Sequence, residues 1–312
     1  MTTELVRKNK KPKKSTKILS LLLLIIVILF LSVNLLPVKK QATWKPFDSE
    51  RPLVIAHQGG EQLAPSNTME AFTLSKKLGV DVLEFDIHIT KDGHLVTIHD
   101  PTVDRTTNGK GAVADFTLKE LQDLDAGYSF QDLEGEYSFR GKGAFIPSVK
   151  EVFEVFPDTP MIIEIKDDNP PERMKEVAEK LWLLIEEYNK EEQVIVASFD
   201  QAIIDTFQEF SKGKTPVAAG RQEVTKFVVF HKFFLRNLYQ PQVDFLHIPT
   251  SDSGFDLADQ TVLKGAHRRG VDIHYWTIND KETMQQLIES GADGIMTDRP
   301  DLMIEVLEDL GY

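Results

Sequence analysis

From Leu53 onward, the chain alternates short apolar runs with stretches that repeat apolar residues at helical spacing. The apolar runs are LVIAH, VLEFDIHIT, HLVTIHD, MIIEIK, VIVASF, PVAAG, DFLHIP, DIHYWT and GIMT. Short apolar runs that alternate with helices are typical of βα units in a parallel sheet. About eight such units after Glu50 predict a TIM (β/α)8 barrel over residues 51–312 rather than an open sheet.

Two stretches interrupt this alternation. Residues 101–146 are rich in glycine and polar residues, which predicts a long insertion after the third strand rather than a second domain. Residues 226–239, KFVVFHKFFLRNLY, hold four phenylalanines among basic residues. We interpret them first as a barrel helix with an apolar inner face. The second interpretation is an amphipathic surface that enters lipid beside a membrane anchor.

The first fifty residues have a different character. Residues 18–36 contain no charge and are long enough, at 1.5 Å per residue, to cross about 30 Å of hydrocarbon. A cleaved secretory signal is the alternative, but the run is too long for one and no small-residue cleavage site follows it. Seven basic residues precede the run, which predicts a cytoplasmic N-terminus. We expect a basic cytoplasmic tail at residues 1–17, a single-pass anchor in the cell membrane at 18–36, a linker at 37–50 and an extracellular barrel.

Composition excludes one class of partner. The formal net charge is −13, and residues 18–312 hold 29 basic and 48 acidic side chains, a charge of −19. Because nucleic acids are bound by basic surfaces, we expect no nucleic-acid partner. An anionic substrate would need a bound metal or a few buried cations.

Acidic residues lie near the ends of two apolar runs. In a TIM barrel the carboxyl ends of the strands open into the active-site mouth. Side chains alternate along a strand, so Glu84 and Asp86 share one direction, as do Glu164 and Lys166. If that direction is inward, three carboxylates meet at one rim and repel each other unless a cation lies among them. Oxygen ligands favour hard ions, so we expect one divalent cation, Ca²⁺ or Mg²⁺.

Two histidines follow the same logic. His57 closes LVIAH, and His99 lies at the end of HLVTIHD. Imidazole titrates near neutral pH and a hard cation prefers oxygen, so acid/base catalysis is a better assignment for both than metal ligation. The alternative without catalysis is that Glu84 and Asp86 form a buried ion pair with Lys166.

Short motifs run in a fixed order along the chain: HQG from His57, PSNT from Pro65, LEFD from Leu83, TKDG from Thr90 and HD from His99. EIK, WTIN and GADGIMTDRP follow. The set resembles that of the glycerophosphodiester phosphodiesterases, which have H-R-G, P-E-N-T, E-x-D, T-x-D-G and H-D. The resemblance covers nearly everything after the anchor. It implies a TIM barrel that hydrolyses a glycerophosphodiester to glycerol phosphate, or to a lysophosphatidic acid, plus an alcohol.

By position, the resemblance also implies roles for individual residues. The implied metal ligands are Glu84, Asp86 and Glu164. The implied catalytic histidines are His57 and His99, and the implied substrate contacts are Gln58, Lys166 and Trp276. In this assignment His57 is the general base and His99 the general acid.

Two positions depart from the family pattern. The arginine after the first histidine is Gln58 here, and the glutamate of P-E-N is Ser66. An amide cannot replace the bidentate phosphate contact of a guanidinium, so either Lys166 and the metal carry more charge or the preferred substrate differs. Glu61 in the same loop could replace the missing carboxylate, and Arg105 in the insertion could replace the missing cation.

An anchor raises the effective concentration of substrates in or near the membrane. The candidates are glycerophosphodiesters from lipid breakdown, lysophospholipids cut in the manner of a phospholipase D, and glycerol-phosphate wall polymers such as teichoic acids. Two rival functions stay open at this point. One is a catalytically silent barrel that binds phosphodiesters, and the other is a phospholipase C type of reaction that releases a cyclic phosphate.

Overall fold

A computed structural model describes residues 14–233 and 235–312. Its strands are, in chain order, β1 Leu53–Ala56, β2 Val82–Ile89, β3 Leu95–Thr97, β4 Met161–Ile165, β5 Val194–Ala197, β6 Phe245–Ile248, β7 Ser251–Asp252, β8 Phe255–Asp256, β9 Asp272–Tyr275 and β10 Gly294–Thr297. Seven of them form a parallel sheet in the order β5-β4-β2-β1-β10-β9-β6. Val217 pairs in parallel with Val196 of β5, and Ala218 pairs in parallel with Phe245 of β6. Residues 217–218 thus take the place of an eighth strand and close the barrel, which confirms the predicted TIM barrel.

The run HLVTIHD does not form one of the eight parallel strands of the barrel. β3 pairs antiparallel with the last residues of β2, from Ile87 to Ile89, beyond the part of β2 that pairs with β1. The insertion follows β3 as predicted. Its apolar residues form a small core of their own, which includes Val103, Val113 and Leu121.

The described helices are α1 Lys14–Asn34, α2 Met69–Leu78, α3 Leu118–Gln122, α4 Val149–Val155, α5 Met174–Glu187, α6 Gln201–Ser211, α7 Arg221–Lys232, α8 Gln260–His267, α9 Lys281–Ser290 and α10 Pro300–Asp309. Several begin at a side chain that accepts a hydrogen bond from a free backbone N–H of the first turn. These caps are Thr68, Thr117, Ser148, Asp200, Asp259 and Asp280. Thr68, the cap of α2, is the last residue of the motif PSNT.

A separate apolar cluster fills the inside of the barrel. Its members point inward from the barrel strands and include Leu53, Ile162 and Phe245. Phe47, from a short 3-10 turn in the linker, packs edge-on against Phe245 at 5.6 Å between ring centroids. Leu53 and Phe245 are the first residues of their strands, so the linker residue lies at the base of the barrel, opposite the mouth.

Helix α1 contains the one described stretch, Lys17–Asn34, that is long and apolar enough to cross a membrane by length and composition. None of that stretch is buried against the rest of the protein. The Asn237 side chain donates hydrogen bonds to the carbonyls of Asn34 at 2.7 Å and Leu36 at 3.0 Å. Carbonyls at a helix end have no partner within the helix, so Asn237 fixes the end of α1 to the segment after α7. Most of the predicted basic tail, residues 1–13, lies outside the described residues.

The phenylalanine-rich stretch has a buried part and an exposed part, and its insertion into lipid stays a prediction. Phe227 is fully buried in the core, as expected for a barrel helix. Phe233, at the end of α7, is 60% exposed, and Leu235 and Leu238 after it are also exposed. Phe234 lies outside the described residues.

Candidate active site

Three carboxylates meet at the carboxyl ends of β2 and β4. Asp86 and Glu164 are direct neighbours in the strand register, and Glu84 lies two residues before Asp86 on the same face. One oxygen from each of the three lies within 4.8 Å of the other two. Two oxygens on one Ca²⁺, at about 2.3–2.6 Å each, can be at most about 5 Å apart. The predicted ligands are therefore brought together at a spacing that fits a hard divalent cation.

Electrostatics at this cluster also favour a cation. Burial, followed by repulsion from Asp86, raises the pKa of Glu84 to about 8 and that of Glu164 to about 7. Glu84 accepts a hydrogen bond from the backbone N–H of Gln58 at 2.7 Å, which only partly offsets this. A bound divalent cation would remove the repulsion that keeps protons on these groups.

Lys166 lies beside the cluster. Its Nζ is 3.1 Å from Glu164 Oε1 and 3.5 Å from Asp86 Oδ1. Burial opposes its charge, but the two carboxylates raise the pKa of Lys166, so it stays protonated. The ion pair of the alternative interpretation is therefore present in part. One ammonium neutralises only one of three carboxylates, and its ion pairs are with Asp86 and Glu164, so the pair leaves room for a cation.

His57 is oriented by a carboxylate from the far end of the chain. Its Nδ1 lies 2.7 Å from Asp298 Oδ1. Asn279 holds Asp298 in turn, by donating to Asp298 Oδ2 at 2.7 Å and accepting from the Asp298 N–H at 2.9 Å. Burial opposes protonation of His57, but the Asp298 hydrogen bond and the nearby Glu84 charge raise its pKa to about 9. Asp298 and Asn279 belong to the motifs GADGIMTDRP and WTIN, and sequence reasoning assigned neither a role.

His99 has a matching arrangement. Its Nδ1 lies 2.8 Å from Asp100 Oδ1, and Arg105 donates to both oxygens of Asp100 at 2.7 and 3.1 Å. The other ring nitrogen, Nε2, lies 3.2 Å from Lys166 Nζ. Both histidines thus use Nδ1 for an aspartate and keep Nε2 for the site. Arg105, considered as a substitute for the missing arginine, instead holds the aspartate behind His99.

The loop after His57 shapes the cluster through its backbone. Gln58 has a φ of 50°, and its buried side chain is not among the groups that line the active-site cavity. A Cβ at Gly59 would lie 2.8 Å from the Phe72 ring, so this tight turn requires glycine. The predicted substrate contact of Gln58 stays a prediction.

Asn67 contributes to the site in a way that sequence reasoning missed. Its amide nitrogen donates to Asp86 Oδ2 at 3.1 Å, and its amide oxygen accepts from the Asp86 N–H at 3.1 Å. The backbone of Asn67 has a φ of 58°, which asparagine tolerates better than most residues. The asparagine of PSNT therefore fixes Asp86, while the neighbouring Thr68 starts α2.

These groups line a cavity of about 620 Å³ at the barrel mouth. The lining includes the three carboxylates, both histidines, Lys166 and Trp276. Trp276 lies edge-on to Phe199, with 5.5 Å between ring centroids. All the residues predicted for the site except Gln58 line this one cavity, while their individual roles stay predictions.

The barrel and this centre define a TIM-barrel enzyme with an acidic cluster flanked by oriented histidines. Residues 57–302 match the profile of the glycerophosphoryl diester phosphodiesterase family. The glycerophosphodiester phosphodiesterase of Caldanaerobacter subterraneus subsp. tengcongensis is 37% identical over 264 residues, which cover 82% of this chain and 98% of that protein. This chain therefore belongs to the glycerophosphodiester phosphodiesterase family, and it is a phosphoric diester hydrolase. The family and the enzyme class that the motifs predicted are confirmed.

Other similar proteins extend the comparison. The lysophospholipase D GDPD1 of Rattus norvegicus is 27% identical over 283 residues, with 82% of this chain and 86% of that protein covered. Among solved structures, a glycerophosphoryl diester phosphodiesterase domain from Mycobacterium tuberculosis superposes with a TM-score of 0.72 at 18% identity, covering 83% of this chain and all of the other. An Oleispira antarctica phosphodiesterase, solved with the product sn-glycerol-3-phosphate, gives 0.66 at 22% identity and covers 83% and 97%. At these identities the structures bear on the fold alone.

Proposed function

We propose that this chain is a membrane-anchored glycerophosphodiester phosphodiesterase that depends on one divalent cation, Ca²⁺ or Mg²⁺, held by Glu84, Asp86 and Glu164. It hydrolyses its substrate to glycerol phosphate, or to a lysophosphatidic acid, and an alcohol. The proposal rests on one observation, an acidic cluster between two histidines that are each oriented by an aspartate. When bound, the cation would stabilise charge on the phosphoryl oxygens. Lys166, protonated and next to the cluster, supplies a second positive charge to the same oxygens.

The hydrogen bonds support a division of labour between the histidines. Lys166 can only donate, so His99 Nε2 accepts from it and the ring proton lies on Nδ1, toward Asp100. His99 is thus ready to take a proton from the nucleophile. His57 is held protonated by Asp298 and is placed to protonate the leaving alkoxide. This order is the opposite of the one that the motifs predicted.

Location and substrate are further parts of the proposal. An apolar helix with basic residues before it supports a single-pass anchor with a cytoplasmic N-terminus and an extracellular barrel. Substrates in or near the membrane then include glycerophosphodiesters, lysophospholipids and glycerol-phosphate polymers. The similarity to a protein named as a lysophospholipase D supports the second class.

The test uses the full chain in lipid nanodiscs. The protein is treated with a chelator, and glycerophosphocholine and glycerophosphoglycerol are then supplied with Ca²⁺, with Mg²⁺ or with neither. We expect glycerol phosphate in the phosphorus NMR spectrum only when a divalent cation is present. Full activity after chelation would contradict the metal site, a cyclic phosphate product would favour the phospholipase C type of reaction, and inertness toward both diesters with either ion would favour the silent barrel.

A further inference from the structure

The active-site cavity has two chemically different halves. β1, β2 and β4 are neighbours in the barrel, and His57 and the three carboxylates lie on them or directly after them. The strands on the other side of the barrel are β5, residues 217–218, β6 and β9. Most of their lining groups are apolar, namely Ala197, Phe199, Ala218, Ala219, Ile248, Pro249 and Trp276, and the polar ones are Ser198, His247 and Thr277. A diester whose phosphorus lies at the carboxylates therefore meets an apolar wall on the opposite side.

This wall continues beyond the barrel between α7 and the β7–β8 hairpin. Val224, Val228 and Val229 of α7 line the cavity, as do Phe255 and Leu257. The polar lining residues of these two elements are Arg221, Thr225, Asp252 and Ser253. We call this part of the cavity, from Phe199 and Trp276 out to Val229 and Phe255, the apolar arm. Water against such a surface is unfavourable, so the arm suits a hydrocarbon ligand better than a polar one.

The outer end of the arm reaches the protein surface. Val229 is 43% exposed and Phe255 is 42% exposed, although both line the cavity. Val229 is one helical turn before Phe233, where the exposed apolar segment after α7 begins. Asn237 in that segment binds the carbonyls at the end of α1. The arm therefore opens toward the side of the domain that is fixed to the apolar helix.

We propose that the apolar arm binds the hydrocarbon chain of a single-chain glycerophospholipid, while its phosphodiester lies at the carboxylate cluster. This inference rests on the proposed function and selects lysophospholipids among its candidate substrates. The cavity volume is in the range that holds one drug-sized ligand, which suits one chain and a head group rather than two chains. A glycerol-phosphate polymer would leave the arm wet.

The chemical step conserves atoms without a further reactant. Water adds its hydroxyl to phosphorus, the bond between phosphorus and the head-group oxygen breaks, and the alcohol leaves with a proton. The second product keeps the chain as a lysophosphatidic acid. Because the chain stays in the arm, only the head group has to leave through the polar half of the mouth.

The test compares diesters that share one head group and differ only in the chain. Glycerophosphocholine and its butanoyl, hexanoyl and octanoyl monoesters are supplied as monomers in water to the full chain in nanodiscs, with Ca²⁺ or Mg²⁺ present. Each buried methylene contributes about 0.8 kcal/mol, a factor of about four, so even partial burial gives a clear trend. We expect kcat/KM to rise at least tenfold from glycerophosphocholine to the octanoyl diester.

Variants locate the effect. Val229→Asp and Phe255→Asp place a charge at the outer end of the arm, at positions exposed enough for the fold to tolerate it. We expect each to lower the ratio of kcat/KM for the octanoyl diester to that for glycerophosphocholine at least fivefold. Val155→Asp on α4, which is 54% exposed and does not line the cavity, is the matched control and should leave the ratio unchanged.

Two results would overturn the inference in different ways. A wild-type ratio near one, or an unchanged ratio in both arm variants while glycerophosphocholine is hydrolysed, refutes the arm and leaves the phosphodiesterase intact. Hydrolysis of neither type of diester refutes the proposed function and, with it, the inference.

Discussion

His57 and His99 have similar surroundings at Nδ1 and different ones at Nε2. An aspartate fixes each ring, but only His99 has an ammonium group against its second nitrogen. The two rings are therefore not interchangeable. This asymmetry leaves His99 Nε2 unprotonated, as an acceptor from Lys166, while Asp298 and the Glu84 charge keep His57 protonated.

The difference can be measured with leaving groups. His57→Ala should lose about 10²–10⁴ in kcat on an alkyl diester, because the alkoxide needs a proton. On a p-nitrophenyl diester the same variant should lose less than about tenfold, since that leaving group departs as a stable anion. His99→Ala should lower kcat on the alkyl diester and on the p-nitrophenyl diester by about the same factor. The opposite pattern would restore the order that the motifs predicted.

Sequence reasoning found the groups of the site that follow an apolar run and missed those that support them. Glu84, Asp86 and Glu164 could be predicted because strand alternation places them at the mouth. Asp298 is 241 residues from His57, and no local pattern shows that the two side chains meet. The same holds for Asn67, which lies 19 residues before the Asp86 that it contacts.

At the scale of elements, local patterns predicted the type of each segment better than its partners. β3 has the alternation of a strand, but its antiparallel pairing with β2 depends on a short turn at Gly93 and not on its own residues. Residues 217–218 belong to the barrel through only two bridges. The alternation of residues in a segment predicts that it is a strand, whereas closure of the barrel determines which strands belong to it.

The contact between α1 and the segment after α7 predicts a local effect. Asn237→Ala removes both hydrogen bonds to the end of α1, so residues 35–43 should exchange amide hydrogens several-fold faster. Exchange in the barrel strands should not change. Gln240→Ala, on the exposed side of the same segment, is the control. Equal protection in wild type and Asn237→Ala would show that the contact does not hold the helix end.

For the whole molecule, the acidic cluster couples stability to pH and to metal. The pKa values of Glu84 and Glu164 are raised from 4.5 to about 8 and about 7, so the folded metal-free protein holds protons that the unfolded chain has lost. Its stability should therefore fall as pH rises from about 4.5 to about 8. His57, raised from 6.5 to about 9, adds stability below pH 6.5 that is lost as pH passes 9. The two effects have the same sign above pH 6.5.

Thermal melting of the full chain in nanodiscs checks this. A divalent cation at one fixed concentration, about 100 times its Kd at pH 8, should add about 2.7 kcal/mol at that pH, roughly 5–10 °C in Tm for a domain of this size. The gain should be larger at pH 8 than at pH 5.5, because protons compete with the metal at the lower pH. Glu84→Gln should flatten the pH dependence of the metal-free protein and abolish the gain. A gain that is equal at both pH values would contradict the raised pKa values.

The linker limits how far the domain can travel from α1. Seven residues lie between Leu36 and Trp44, which packs against the cluster at the barrel base, and the eight steps from one to the other cover at most about 29 Å in a fully extended chain. If α1 spans the bilayer as proposed, the barrel stays within this distance of the membrane and acts only on the membrane of its own cell. Its supply of diester would then be set by lateral diffusion within that leaflet, and lipid in a neighbouring cell would be out of reach.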